Sequence, residues 1–355
     1  QPKAIHDEMN ASAFDEFGRM QANLGVEAVP ATPGLQNVIL HPFVYPGTEV
    51  IDASKLPTAD VKVTPIAKAD DGTQIWKITH NGVDTHPIHW HAYDVQLINR
   101  VTWDNIIIPP DQTELGWKDT IRISPLEDTI VALRPVIPKV PFDLRNSVRE
   151  LNPVQRDGAW IANTTAAEAS GLPMLAFSPT GDPIDIINHL VNYGAEYTYH
   201  CHILSHEEMD MMRPVSIALP PLAPSGLSLS GTTLTWTDNS LSETQFVVQR
   251  SADGGTTWTD VGTKATLFDK LGLGPGANGG VPQLPGLLPG ANTSGGTYSL
   301  DVGAVNTGDQ FRVVAENTVG DTWDYSDPGF NEILAGTNAF PVVTTKSAPS
   351  AVFTA

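Results

Sequence analysis

The feature that most constrains this chain is its only cysteine, Cys201, together with the side chains around it. His200 and His202 flank the cysteine, and His206 and Met211 follow it by five and ten positions. Two imidazoles, a thiolate and a weak axial thioether are the ligands of a blue-copper centre. The segment therefore predicts a copper site that still needs one histidine from elsewhere in the chain.

A second histidine-rich segment, HPIHWH at residues 86–91, supplies that ligand. Successive side chains on a β-strand point to opposite faces of the sheet. His89 and His91 are two positions apart, so they share a face. His86 stands at an odd offset from both, beyond Pro87, and can reach the opposite face.

The same alternation divides the ligands between two metal sites. On its strand, Cys201 takes one face while His200 and His202 take the other. The predicted mononuclear site consists of Cys201, His206, His86 and Met211, and the predicted histidine-only centre consists of His89, His91, His200 and His202. Because Cys201 lies between two histidines of the second set, one covalent strand joins the two sites.

Two other interpretations of these side chains are weaker than copper. Zinc also binds Cys and His, but it needs no methionine and has no use for a second face of paired histidines. The histidines could also be core residues without a ligand role, which would leave the spacing of both segments unexplained.

Both segments resemble the last cupredoxin domain of multicopper oxidases, closest to the bacterial spore-coat laccase and bilirubin oxidase branch. The resemblance rests on HPIHWH and on HCHILSHEEMDMM at residues 200–212. Further stretches agree with it, namely residues 13–20 (AFDEFGRM), 116–120 (GWKDT) and 211–214 (MMRP), so that it covers residues 1 to about 219. It implies an all-β fold with a Greek-key cupredoxin sandwich.

The resemblance also implies a role for each ligand. Type 1 copper would be held by His86, Cys201, His206 and Met211, type 2 copper by His89, and the type 3 pair by His91, His200 and His202. Electrons would leave the type 1 site through Cys201 and enter its neighbours His200 and His202. Glu207 matches an acid of that branch which lies near the oxygen-binding coppers and can relay protons to oxygen. The alternative is that Glu207 is a solvated acid on a polar turn.

The chain departs from the family in its histidine count. A complete trinuclear cluster in such enzymes takes eight histidines, half of them from two HxH motifs of an N-terminal cupredoxin domain. This sequence has no further HxH motif, and His6, His41, His80 and His189 are interpreted as surface or packing residues. We therefore expect a partner, an N-terminal cupredoxin chain of the same precursor, with dioxygen and a small organic or metal-ion reductant as substrates. A symmetric homodimer is the alternative.

Length and composition predict a two-domain, all-β protein. The 355 residues include 30 Gly and 29 Pro, which favours strands and turns over long helices. We expect residues 1–45 to be a lead-in from preceding domains, residues 46–219 to be the copper-binding cupredoxin domain, and residues 220–355 to be a fibronectin type III-like sandwich. The boundary lies at a proline cluster in residues 219–225.

Two stretches interrupt this organisation. Residues 136–190 exceed the usual length of a connection, and we interpret them as an insertion over the domain surface. Residues 272–296 are a Gly/Pro-rich insert in the second domain, which otherwise shows short alternating strands typical of a fibronectin type III sandwich.

Charge and hydropathy limit the class of protein. A formal net charge of −20 argues against nucleic acid or an anionic membrane as a partner. No apolar run approaches transmembrane length, and we expect a secreted, periplasmic or cell-surface protein from the copper chemistry and the family. Two functional alternatives stay open: an electron-transfer subunit with only type 1 copper, and a surface-binding protein dominated by the second domain.

Overall fold

The chain is described here by a computed structural model. Its described part comprises residues 73–80, 84–137, 139–151, 159–162, 176–177, 183–208, 211–265, 295–320 and 342–355, together with short strands between residues 4 and 52. Nearly all of the regular structure in these ranges is β-strand, which confirms the all-β prediction. The exceptions among these residues are a 3-10 turn at Gln112–Glu114 and a short helix, α1, at Leu204–Glu208.

Twenty strands precede the proline cluster and eight follow it in the described residues. The first group comprises β1 (Ala4–His6), β2 (Ala13–Phe14), β3 (Met20–Gln21), β4 (Gly25–Ala28), β5 (Asn37–Leu40), β6 (Val50–Asp52), β7 (Gln74–His80), β8 (His86–Trp90), β9 (Tyr93–Thr102), β10 (Ile107–Ile108), β11 (Thr120–Ile123), β12 (Glu127–Pro135), β13 (Val148–Glu150), β14 (Trp160–Ala162), β15 (Ala176–Phe177), β16 (Pro183–Ile184), β17 (Ile186–Ile187), β18 (Leu190–Asn192), β19 (Ala195–Cys201) and β20 (Met212–Ala218). The second group comprises β21 (Ser225–Ser230), β22 (Thr233–Thr237), β23 (Gln245–Ser251), β24 (Thr259–Ala265), β25 (Thr297–Asp301), β26 (Gln310–Gly320), β27 (Val342–Lys346) and β28 (Phe353–Thr354).

The residues before the proline cluster at 219–225 are called the first module, and those after it are called the second module. The first module is built from two main sheets. One has the strand order β10-β9-β12-β7-β1-β4-β5, and the other has the order β11-β8-β19-β20-β6. In the second sheet, β19 pairs with β8 so that His200 lies opposite His89 and Cys201 lies opposite Ile88. Strand pairing therefore brings the two histidine-rich segments side by side, although they are more than a hundred residues apart in sequence.

The core of the first module lies between these sheets and reaches the predicted metal ligands. Along β8, burial alternates, with His86, Ile88 and Trp90 buried and Pro87 and His89 half-buried. Strand alternation thus turns His86 toward the core and His89 away from it. Cys201 and Met211 belong to the same core as the large apolar side chains Trp76, Trp90, Val95 and Leu133.

The second module also has two sheets. Strands β21, β22 and β25 form one, and β23, β24 and β26 form part of the other, in which β27 and β28 also pair with β26. Trp236 and Phe246 meet edge to face in its core, with ring centroids 5.5 Å apart. Its assignment as a fibronectin type III-like domain stays a prediction.

Buried asparagines join the two modules. The side-chain amides of Asn146 and Asn317 exchange hydrogen bonds of 3.0 and 3.3 Å. Asn192 donates to the Thr318 carbonyl at 2.6 Å, and Asn317 donates to the Leu219 carbonyl at 3.0 Å. A buried amide without a partner costs about 1–3 kcal/mol, so the packed boundary is favourable only while these amides keep their partners across it.

The long stretch before β19 takes part in this contact. Its strand β18 pairs with β13 on one side and, at Asn192 and Gly320, with β26 of the second module on the other. Asp143 accepts hydrogen bonds from the Ser240 hydroxyl and the Leu241 amide. The described part of residues 136–190 thus contributes to the boundary between the modules.

Candidate metal centres

Three ligand atoms meet on the core side of β8 and β19. Nδ1 of His86 lies 3.4 Å from Sγ of Cys201, and Nδ1 of His206 lies 3.6 Å from the same sulfur. The two Nδ1 atoms are 3.2 Å apart. A metal ion about 2 Å from three ligand atoms in one plane needs those atoms roughly 3.5 Å apart. The three side chains therefore fit a trigonal metal site without rearrangement.

Met211 lies beside this cluster because the chain turns back after Cys201. The short helix α1 carries His206, whose carbonyl accepts a hydrogen bond from the Met211 amide at 3.0 Å. The Met211 carbonyl in turn accepts one from the Cys201 amide at 3.2 Å. Met211 is only 1% exposed and packs in the same core as Cys201. It is therefore placed near the site for which the sequence predicts an axial thioether.

The other face of the two strands carries four imidazoles. Ring centroids of His89 and His91 are 4.9 Å apart, and those of His91 and His200 are 5.2 Å apart. His202 lies 5.5 Å from His89 and 5.4 Å from His200 by the same measure. One ligand atom from each of His89, His91 and His200 can be chosen so that all lie within 4.8 Å of one another. His202 is exposed and stands at the open side of this face.

Backbone carbonyls select the tautomers of two of these rings. Nδ1 of His89 lies 2.9 Å from the Asp119 carbonyl, and Nδ1 of His200 lies 3.0 Å from the Cys201 carbonyl. A carbonyl only accepts, so each Nδ1 carries a proton, and Nε2 of the neutral ring has the free lone pair. Nε2 of His200 faces Nε2 of His91 at 3.3 Å. Metal-binding histidines are commonly oriented in this way, with the other ring N–H donated to a carbonyl oxygen.

The surroundings of His91 favour its neutral imidazole. Burial lowers the pKa of His91, and the neighbouring rings of His89 and His200 lower that pKa further, while Glu207 acts in the opposite direction. Neutral imidazole is the form that binds a metal ion. The lowered pKa of His91 therefore favours the form of this side chain that can bind a metal ion.

Glu207 lies next to the histidine face. Its Oε2 atom is 3.8 Å from Nδ1 of His200 and is buried. Among the described residues, no hydrogen-bond donor reaches this oxygen. The carboxyl group is therefore within reach of the predicted oxygen-binding centre, while its role in proton relay stays a prediction.

Two contacts near these centres are not evident from the sequence. Asp119 lies in the GWKDT stretch, and its carbonyl accepts a hydrogen bond from Nδ1 of His89. His80, interpreted as a surface or packing residue, is buried with its ring centroid 5.1 Å from that of His86. In the sequence, this contact is indicated only by the spacing of six positions between His80 and His86. His189 is also buried, whereas His41 and the side chain of His6 lie outside the described residues.

Comparison with known proteins finds similarity over part of the chain. Residues 44–141 match the family described as Multicopper oxidase. The chain is 26% identical over 161 residues to a laccase of Bacillus subtilis (strain 168), which covers 42% of this chain and 21% of that laccase. It is also 29% identical over 144 residues to a laccase of Bacillus stratosphericus, covering 41% and 20% of the two proteins. The chain is homologous, over part of its length, to laccase-like multicopper oxidases.

This partial homology agrees with the resemblance to multicopper oxidases. The solved McoA multicopper oxidase from the hyperthermophile Aquifex aeolicus is 16% identical, covers 61% of this chain and 29% of its own, and has a TM-score of 0.28. The chain spans about a fifth of the length of the two curated laccases. The spore-coat laccase and bilirubin oxidase branch stays a prediction.

In the described ranges, no helix is long and apolar enough to cross a membrane.

The multicopper oxidase family implies copper binding, and two described groups of side chains could hold it. These are His86 with Cys201 and His206, and His89 with His91 and His200. Soft thiolate and imidazole ligands suit copper. Which copper type each group would hold stays a prediction.

Proposed function

We propose that this chain is the C-terminal part or a subunit of a laccase-like multicopper oxidase. The thiolate cluster consists of His86, Cys201 and His206, and the histidine face consists of His89, His91, His200 and His202. The observation that supports the proposal best is that these two groups lie on opposite sides of the paired strands β8 and β19. Copper bound there would supply one-electron oxidation of an organic or metal-ion reductant and four-electron reduction of dioxygen to water. Cys201 links the two sides covalently, because its peptide bonds lead directly to His200 and His202.

Burial suggests where each substrate would approach. His86 and Cys201 are buried, whereas His206 is half-buried and is preceded by Leu204, which is 71% exposed. We infer that the reductant donates its electron at the His206 edge. The buried sulfur is kept away from water by the core, which protects the thiolate from competing oxidation.

The exposed side of the histidine face supports the proposal of a partner. Four imidazoles are too few for three coppers, and His202 is exposed. We propose that a second cupredoxin chain of the same precursor covers this face and adds two HxH motifs. Such a protein would act outside the cytoplasm, in the periplasm, at the cell surface or in the medium.

Native mass spectrometry combined with copper analysis tests this assembly. We expect an additional chain and four coppers per complex, with the intense visible absorption of a copper–thiolate centre. One copper per chain would favour the electron-transfer alternative instead. A complex of two copies of this chain would favour the homodimer, in which the same four histidines are contributed twice. A monomer that binds four coppers would contradict the need for a partner.

The Glu207→Gln variant tests the proton relay. Glutamine keeps the size of the side chain but cannot deliver the proton, so we expect the oxygen half-reaction to slow by about 10²-fold or more. Reduction of the thiolate site by substrate should proceed at the normal rate. The matched control is Glu208→Gln, because Glu208 is the next residue and is exposed. Slower substrate oxidation with normal reoxidation would contradict the relay.

A further inference from the structure

We propose that His80 is a positioning residue for His86. It would hold the His86 ring in the orientation that directs Nδ1 toward Cys201. This inference rests on the proposed copper function, because its consequence is measured at the thiolate site.

The contact between the two rings is buried. His80 is 1% exposed and His86 is 4% exposed. Their ring planes are inclined by 50°, with centroids 5.1 Å apart. The His86 ring also contacts His206, with centroids 5.0 Å apart. His86 therefore contacts both a predicted ligand, His206, and a ring outside the predicted ligand set, His80, and the His80 ring limits the space in which His86 can move.

The His80 ring also fixes the chain that leads into β8. Its Nε2 atom donates a hydrogen bond to the carbonyl of Asp84, two residues before His86. Nε2 must be the donor because a carbonyl only accepts. One side chain thus restrains the backbone that precedes His86 and, through its ring face, the His86 imidazole itself.

The His80 backbone is held independently of its ring. His80 is the last residue of β7 and is paired with Glu127 of β12. Its carbonyl accepts a hydrogen bond from the Leu126 amide at 2.8 Å. Since β7 and β8 belong to different sheets, His80 ties the first sheet to the strand that carries the metal ligands. A substitution of the His80 side chain should therefore alter the thiolate site without disrupting strand β7.

Two variants separate the two contacts. His80→Phe keeps an aromatic wall but removes the hydrogen bond to Asp84. His80→Gln keeps a possible donor but removes the ring. The matched control is His189→Gln, because His189 is another buried histidine and is not among the predicted ligands. Each protein is tested as the full chain, first for cooperative unfolding and then by titration with Cu(II).

We expect His80→Phe to weaken Cu(II) binding at the thiolate site by about 10–100-fold, as for other residues that orient metal ligands. At saturating Cu(II), its thiolate-to-copper absorption band and its reduction potential should both shift. His189→Gln should leave all three quantities unchanged. If His80→Phe does not fold, His80→Gln gives the same readouts.

The outcomes distinguish this inference from the proposed function. A normal copper–thiolate band in the unsubstituted protein, with unchanged affinity, band and potential in the His80 variants, would overturn the positioning role alone. Absence of that band in the unsubstituted protein would overturn the proposed copper function and the role together. Equal effects of His80→Gln and His189→Gln would show a general cost of replacing buried histidine and would also overturn the role.

Discussion

The Cys201→Ser variant is expected to lose the intense copper–thiolate absorption and all turnover. The sulfur of Cys201 lies 3.4 Å from His86 Nδ1 and 3.6 Å from His206 Nδ1, and Cys201 is the only cysteine in the chain. A serine hydroxyl is a hard, protonated ligand at neutral pH and cannot replace a soft thiolate. The same atom begins the covalent link to His200 and His202, so binding and electron transfer should fail together.

Visible absorption, copper content and steady-state turnover measure this result. The matched control is Met211→Leu, which changes a neighbouring core side chain of similar size. Because the axial bond is weak, this control should keep its colour and shift its reduction potential. Retained blue colour in Cys201→Ser would refute the assignment of the thiolate site.

The Gly194→Ala variant is expected to lose roughly 2–5 kcal/mol of unfolding free energy. Gly194 has a φ of +64°, and a Cβ there would lie 2.5 Å from the Ile217 carbonyl oxygen and 2.9 Å from Cγ1 of Val319. The left-handed backbone costs about 1–2 kcal/mol for alanine, and overpacking adds about 1–3 kcal/mol. Ile217 belongs to β20 and Val319 to β26, so the clash falls where the two modules meet.

Urea unfolding of the full chain measures this loss. Gly231→Ala is the matched control, because Gly231 has a similar φ of +59° with no heavy atom within 4 Å of the added Cβ. It should lose only the backbone cost, about 1–2 kcal/mol. Equal losses in the two variants would mean that the module boundary relaxes around the methyl group, contrary to the close approach of β20 and β26.

The sequence could predict which of these side chains lie close together, because the arrangement of the candidate ligands depends on local rules. Residue type made Cys201 and Met211 candidate soft ligands, and strand alternation predicted that His200 and His202 lie on the face opposite Cys201. The structure places these side chains in that arrangement. Neither rule requires knowledge of a distant part of the chain, since the direction of a side chain on a strand depends only on its position in the strand.

The module boundary shows what the local rules miss. The sequence divides the chain near Leu219 by its prolines and predicts an insertion on the surface. In the structure, Asn146 from that stretch and Asn192 just after it are buried against Asn317 of the second module. Asparagine usually favours turns and exposed positions, so no pattern in the sequence distinguishes these three from asparagines in solvent.

The sequence by itself thus provided the candidate ligands, their division between two faces, the β-rich character of the chain and its resemblance to multicopper oxidases. Only the tertiary structure placed His80 against His86 and the Asp119 carbonyl against His89. Those contacts depend on strand register and on how one sheet packs upon the other. Register and packing are set by the whole core, because a shift by one residue would exchange the buried and exposed faces of a strand.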